Sequence, residues 1–374
     1  MTTLKNFDAQ YFLKHFWQQK PVVIKNAFEQ AAWIEADELA GLACEEQAES
    51  RIIHQNQGQW LVDHGPFKES FFSTLAEEGW TLLVQAVDQW VPEVKAVLDA
   101  FDFLPSWRLD DVMVSYAPVG GSVAPHFDYY DVFLIQGEGK RRWQVGQTCN
   151  ERSACESGSA IKTVKDFRPE MDVILTSGDL LYVPAKHSHY GISVENSLTY
   201  SVGFRAPSVR DIVDGIATEA LSYLHEDQRY VDTITSLKAP AAEIPKAAIE
   251  QITSMLAKSL IDNAYIVDWI GKYVTEPKYS ESTSAELDFF DSQSTDITVN
   301  KDPVSRIAYH VINPDLDVCH LFINGERYDC SVELAKYLCS SNTLEVSKLL
   351  LFDQPKDKDL LQLLFEAQGW PAEF

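Results

Sequence analysis

Along residues 111–205 the apolar positions fall into short runs separated by turn-forming residues. The runs at 112–116, 132–135, 142–145, 173–176, 180–183 and 198–204 read as β-strands. Pro118-Val119-Gly120-Gly121, Gly137-Glu138-Gly139 and Ser177-Gly178-Asp179 punctuate them, because glycine and proline supply the backbone angles of tight turns. Short strands spaced this way predict an antiparallel sandwich or small barrel. Ahead of it, Tyr11, Phe12, His15 and Phe16 recur at helical spacing, and Lys20-Pro21 ends that helix before a strand at 22–24. A second short helix is expected at 37–48, and helical stretches alternating with turns over 71–103.

After Pro207 the strand pattern stops. Segments 209–225 and 247–274 are long and helically periodic, and their apolar stripes include Ile252, Leu256, Leu260 and Ile266. Residues 276–300 are rich in Ser, Thr and Asp and read as a linker. A strand at 318–323, a turn at Asn324-Gly325 and helices near 331–340 and 357–367 complete the chain. The expected organisation is therefore a β domain over 1–207, a helical region over 208–276, a linker over 277–300 and a small α/β end domain over 301–374. A length of 374 residues suits two or three domains at about 100–200 residues each.

Charge changes the picture more than composition does. Lys plus Arg number 31 against 56 Asp plus Glu, a formal net charge of -25. Such a surface repels nucleic-acid phosphates and attracts basic partners. The six cysteines form no Cys-x-x-Cys pair, which fits reduced thiols and argues against a zinc-thiolate site. No apolar run is long enough to span a bilayer, and the N-terminus lacks the basic-then-apolar plan of a signal peptide. A cytoplasmic protein is expected.

The chemistry concentrates in Pro125-His126-Phe127-Asp128. In an extended segment, residues two apart point to one face, so His126 and Asp128 can bind a single ion. Two imidazoles and one carboxylate on one face of Fe(II), with open positions opposite, is the arrangement of non-haem iron oxygenases. The third ligand must come from a later strand, and His189 or its neighbour His187 could supply it. A second constellation is Lys140-Arg141-Arg142, where strand alternation sends Arg141 to one face and its neighbours to the other. Arginine suits a buried carboxylate because its charge is permanent and its fork is bidentate. In the last strand of the barrel, Thr199, Ser201 and Gly203 share a face whose small side chains leave room for a ligand.

These residues resemble a known family. Pro125-His126-Phe127-Asp128, the run from Asp131 to Gly137, Leu181-Tyr182-Val183-Pro184 with His189, and Tyr200 to Pro207 are similar to the Jumonji-C, cupin-type ribosomal oxygenases. Within that family they resemble bacterial arginine hydroxylases of the sixteenth large-subunit ribosomal protein. It is specific over 12–207 and only architectural beyond. The resemblance implies a double-stranded β-helix catalytic domain, a helical dimerisation region and a winged-helix-like end domain. It selects His126, Asp128 and His189 as ligands of Fe(II), Arg141 for the distal carboxylate of 2-oxoglutarate, and Ser115 and Thr199 beside that co-substrate. Lys186 departs from the pattern, since relatives often carry glycine before the ligand.

The implied activity is hydroxylation of an arginine in a basic ribosomal protein, with dioxygen as oxidant, by a homodimer that does not bind nucleic acid directly. Asp111 and Tyr130 are candidates to receive the substrate guanidinium. Alternatives are a histidyl hydroxylase of the same family, a metal-dependent cupin enzyme that does not use 2-oxoglutarate, and a non-enzymatic regulator whose cupin domain senses a ligand. The net charge weighs against a nucleic-acid-binding regulator.

Overall fold

The computed structural model describes residues 4–29, 31–153, 161–234, 236–240, 242–260, 263–279, 298–302, 304–340 and 343–367. The expected linker lies largely outside them, as does Cys155. The chain divides into two compact units, Met1–Ala206 and Pro207–Phe374.

Among the described residues the first unit contains eleven strands: β1 (Val22–Ile24), β2 (Ser50–Asn56), β3 (Gln59–His64), β4 (Trp80–Val84), β5 (Leu109–Ala117), β6 (Val132–Gln136), β7 (Lys140–Thr148), β8 (Pro169–Thr176), β9 (Leu180–Val183), β10 (His187–Ser193) and β11 (Ser197–Phe204). Eight form a sheet in the order β1-β9-β6-β11-β5-β4-β2-β3, and β10-β7-β8 form a second. Every pairing is antiparallel. This is the sheet-on-sheet core of a cupin-type double-stranded β-helix.

Period-2 alternation explains how the sheets meet. Val132 and Leu134 of β6 and Leu181 and Val183 of β9 pack against Trp143 and Val145 of β7 and Leu175 of β8. The intervening Phe133 and Ile135 point the other way, so β6 is buried on both faces and reads as a continuous apolar run. Phe133 is fully buried among Phe12, Phe101, Tyr182 and Phe204, and burying a ring of this kind stabilises by about 1.5–3 kcal/mol. The N-terminal helix Ala9–His15 contributes Phe12 to that layer, and Asp8 caps the helix by accepting from the Tyr11 N–H.

Four strands of this unit depart from the expected pattern, among them β10, where no strand was expected. Trp80–Val84 is a strand inside a segment expected to be helical, and Ser50–Asn56 with Gln59–His64 forms a hairpin where none was expected. The hairpin turns on Gln57 and Gly58, both at positive φ, as a two-residue turn matched to strand twist requires. The helix expected at 37–48 is confined to Ala36–Leu42.

The second unit begins with helices Val209–Leu221 and Lys246–Leu260. A further helix, Asn263–Thr275, lies on the sheet Ile307–Asn313, Val318–Ile323, Glu326–Cys330. Gly271 makes this possible, since a Cβ there would come within 2.4 Å of the Phe322 ring. Helices Val332–Ser340 and Pro355–Ala367 complete the winged-helix end, around Leu321, Leu334, Leu338 and Leu360. Helix Lys246–Leu260 buries no residue, and Ile249, Ile252 and Leu256 are exposed. No helix among the described residues is long and apolar enough to cross a membrane.

Candidate active site

His126 and His189 meet across an isolated antiparallel bridge. The His126 N–H donates to the His189 carbonyl at 3.1 Å, and the His189 N–H returns a bond to the His126 carbonyl at 2.8 Å. The two imidazole rings lie 4.3 Å apart. Asp128 Oδ2 sits 3.9 Å from His126 Nε2 and 3.6 Å from His189 Nε2. One ligand atom from each of the three falls within 4.8 Å of the others, the one such metal-competent group among the described residues.

Backbone carbonyls aim the rings. His126 Nδ1 lies 2.9 Å from the Ala124 carbonyl and His189 Nδ1 lies 3.1 Å from the His187 carbonyl. With Nδ1 as donor, each Nε2 presents a lone pair to the shared centre, the tautomer that metal binding demands. Burial, reinforced by the neighbouring His126 ring and opposed by Asp128, pushes the His189 imidazole down to about 4.

Two residues at positive φ hold this frame. Ala124, at φ 67°, supplies the carbonyl that His126 meets, and Lys186, at φ 68°, donates its N–H to the Asp128 carbonyl. A side-chain-bearing residue in this region is strained. Lys186, where the chain departs from the family pattern, thus adopts the backbone conformation that glycine favours. His187, the rival ligand, stands apart from the cluster. A register shift in β10 falls between His187 and His189, so the two do not share the regular i, i+2 relation.

Arg141 is 1 % exposed, on the same face of β7 as Trp143 and Val145. Its Nη1 donates to Ser115 Oγ at 3.1 Å and Thr199 Oγ1 at 3.3 Å, so these three expected residues converge. Its Nε has no partner, and among the described residues no carboxylate lies within ion-pair distance of it. Burial lowers this guanidinium to about 10. Lys140 and Arg142 face away and pair with Glu195 and Asp172. A buried cation answered only by hydroxyls is expensive, and a small anion beside it would repay the cost.

Ser201 and Gly203 are more accessible than Thr199, and a Cβ at 203 would meet nothing closer than Asp111 Oδ1 at 3.7 Å. Asp111 is itself buried, and its Oδ2 accepts from Gln85 Nε2 at 2.7 Å and the Ala86 N–H at 3.0 Å. It therefore braces the β4 end as well as lying beside Gly203 of β11. Tyr130 is 44 % exposed, yet burial of its hydroxyl and the charges of Asp128, Asp111 and Asp110 push its phenol up, against Arg51. Asp110 and Arg51 were not among the expected site residues, and Arg51 comes from the hairpin the sequence pattern did not reveal.

This fold and this cluster of side chains define a JmjC-type oxygenase. Residues 96–212 match the JmjC domain family and residues 258–370 match the ROXA-like winged helix. The chain is 37% identical over 269 residues to the ribosomal protein uL16 3-hydroxylase of Escherichia coli K12, covering 72% of this chain and 71% of that protein. The crystal structure of E. coli YcfD superposes with a TM-score of 0.85 at 31% identity, over 96% of both chains. A structure of YcfD, a ribosomal oxygenase, in complex with cobalt and 2-oxoglutarate superposes with a TM-score of 0.81 at 30% identity, over 99% of both chains. The chain belongs to the ribosomal oxygenase family.

Proposed function

We propose that this protein is an Fe(II)- and 2-oxoglutarate-dependent hydroxylase of an arginine in ribosomal protein uL16. The observation that carries the co-substrate reading is Arg141, a buried guanidinium without an anionic partner among the described residues, beside two hydroxyls. The donor set fits the metal: two imidazole Nε2 atoms and one carboxylate is the facial arrangement of non-haem iron oxygenases. When bound, iron with 2-oxoglutarate and dioxygen supplies the oxidising power to hydroxylate an unactivated carbon, with succinate and carbon dioxide as co-products. The protein's own contribution is aim. His126, Asp128 and His189 hold the metal, Arg141, Ser115 and Thr199 fix the far end of the co-substrate, and the Ala124 and Lys186 backbones keep the ligands in place.

The substrate reading extends the uL16 named for the E. coli relative to this chain. Asp111 and Tyr130, with Asp110 nearby and ion-paired to Arg205, give this side of the site an acidic, hydrogen-bonding character suited to a guanidinium. A net charge of -25 attracts a basic protein and repels exposed ribosomal RNA, which favours free uL16 over the assembled subunit, and action on a ribosomal protein supports a cytoplasmic enzyme. We assign residues 1–207 to catalysis, the helices within 208–276 to pairing of two copies, and 301–374 to the winged-helix end.

The test is a mass-spectrometric time course on free uL16 and on intact large subunits at several salt concentrations. A gain of one oxygen on an arginine, faster on the free protein and slowed by salt, is expected. Oxygen gained only on intact subunits would overturn the pre-assembly reading, and oxygen gained on a histidine would make the enzyme a histidyl hydroxylase.

A further inference from the structure

Among the described residues, five buried side-chain atoms lack a hydrogen-bond partner, and two of them lie on one face of β7: Arg141 Nε and Trp143 Nε1. The Arg141 guanidinium carbon stands 5.2 Å from the centre of the Trp143 ring. The same indole lies 6.1 Å from the His189 ring. Trp143 thus neighbours both the anion anchor and a ligand of the metal cluster.

The ring is seated there deliberately. Gly191 pairs directly with Trp143 across β10 and β7, and a Cβ at 191 would come within 2.7–2.9 Å of three carbons of the indole six-membered ring. Only a glycine two residues after His189 lets the indole lie against that strand. A tryptophan chosen for bulk alone would leave its N–H buried and unanswered, a cost that phenylalanine avoids.

We propose that Trp143 is a further co-substrate-binding residue, its indole N–H donating to a carboxylate oxygen of the dicarboxylate that Arg141 holds. The proposal rests on the co-substrate reading above. Arg141 supplies charge, and Trp143 supplies a neutral donor whose position is fixed by Gly191, so the pair reads both the charge and the placement of the ligand.

The experiment is calorimetric titration of 2-oxoglutarate into the Mn(II)-loaded full chain, without dioxygen, for the native protein, Trp143→Phe and Arg141→Met. Phenylalanine keeps a ring against Gly191 and removes the donor. Expected is an approximately tenfold loss of 2-oxoglutarate affinity in Trp143→Phe, the loss of about one hydrogen bond to a charged acceptor, with Mn(II) affinity unchanged. Native affinity in Trp143→Phe alongside weakened binding in Arg141→Met would overturn the tryptophan's role and leave the co-substrate reading standing. Native affinity in both would overturn the co-substrate reading itself. Should Trp143→Phe fail to fold, the nitrogen-15 indole signals of the native Zn(II)-loaded protein decide. The indole that Mn(II) broadens most is the one nearest the cluster; it should shift on adding 2-oxoglutarate, and a fixed position would overturn the proposal.

Discussion

Replacing Arg141 by methionine separates two roles that a buried arginine can play, because they predict different signs. If the guanidinium completed a structural ion pair, its removal would cost about 3–5 kcal/mol of stability. In this fold no protein carboxylate answers it among the described residues, and burial alone lowers it from 12.5 to about 10. That shift corresponds to about 3 kcal/mol against burying the charge, in force at neutral pH because both folded and unfolded chains keep the proton there. The hydrogen bonds to Ser115 and Thr199 and the contact with Trp143 return a similar sum. Methionine, unbranched and apolar, should therefore leave the melting temperature of the co-substrate-free protein unchanged or raise it by a few degrees. The ligand response should collapse. At a concentration of about 100 Kd, 2-oxoglutarate stabilises the native protein by about 2.7 kcal/mol; a hundredfold weaker variant would gain about 0.4 kcal/mol at that concentration. Thermal melts of the Mn(II)-loaded pair, with and without 2-oxoglutarate, give both numbers. A variant that loses more than about 2 kcal/mol without ligand, yet keeps the ligand-induced shift, would refute the anchor.

Three other outcomes follow from the same structure. His126→Ala, Asp128→Ala and His189→Ala should each abolish stoichiometric Fe(II) binding while His187→Ala retains it; calorimetry with retention in His189→Ala and loss in His187→Ala would exchange the third ligand. Asp179 is a buried carboxylate whose desolvation is outweighed by bonds from Lys25, Thr176 and the Asn26 N–H, so its pKa is lowered and its contribution is present above the unfolded value near 4 and lost as pH falls through the folded one. Asp179→Asn should cost about 3 kcal/mol at neutral pH and flatten the stability-pH curve below about pH 4, while an unaltered acid limb in denaturant titrations would remove Asp179 from the network. Ile252→Lys with Leu256→Lys, on the helix that buries no residue, should turn a homodimer into a monomer by sedimentation, and a native protein already monomeric at micromolar concentration would reject the pairing.

How far the sequence carries depends on how each element hides its polar side. β6 and β9 are buried on both faces, so their apolar runs were plain, as were the turns between them. β2 and β3 carry His54, Gln55, Asn56 and Asp63 and blend with loop composition; the one available signal was Gly58 between two alternating stretches. Trp80–Val84 is apolar apart from Thr81 but sits among helical neighbours, and period alone does not separate a short buried strand from a helix turn. The His-x-Asp pair was visible because chain neighbours share a face. The choice between His187 and His189 was not, because the register shift that parts them is a property of pairing with β7.

Arg141 is the instructive case, since the chain held more information than its basic neighbours suggest. Lys140, Arg141 and Arg142 look equivalent until parity is followed through the whole strand. Trp143 and Val145 have the parity of Arg141; Lys140, Arg142 and Gln144 have the other. A face bearing a tryptophan and a valine is the core face, so the strand was already declaring Arg141 as the inward cation and its neighbours as the solvated ones. Its outward neighbours behave accordingly, Arg142 pairing with Asp172 and Lys140 with Glu195 at the surface. An arginine on the apolar parity of a strand, with hydroxyl residues rather than acids at Ser115 and Thr199 across the interior, is a cation the fold does not neutralise by itself. That combination points to an anionic ligand before any relative is considered, and it makes the same demand of Trp143, whose N–H shares that parity and that lack of a partner.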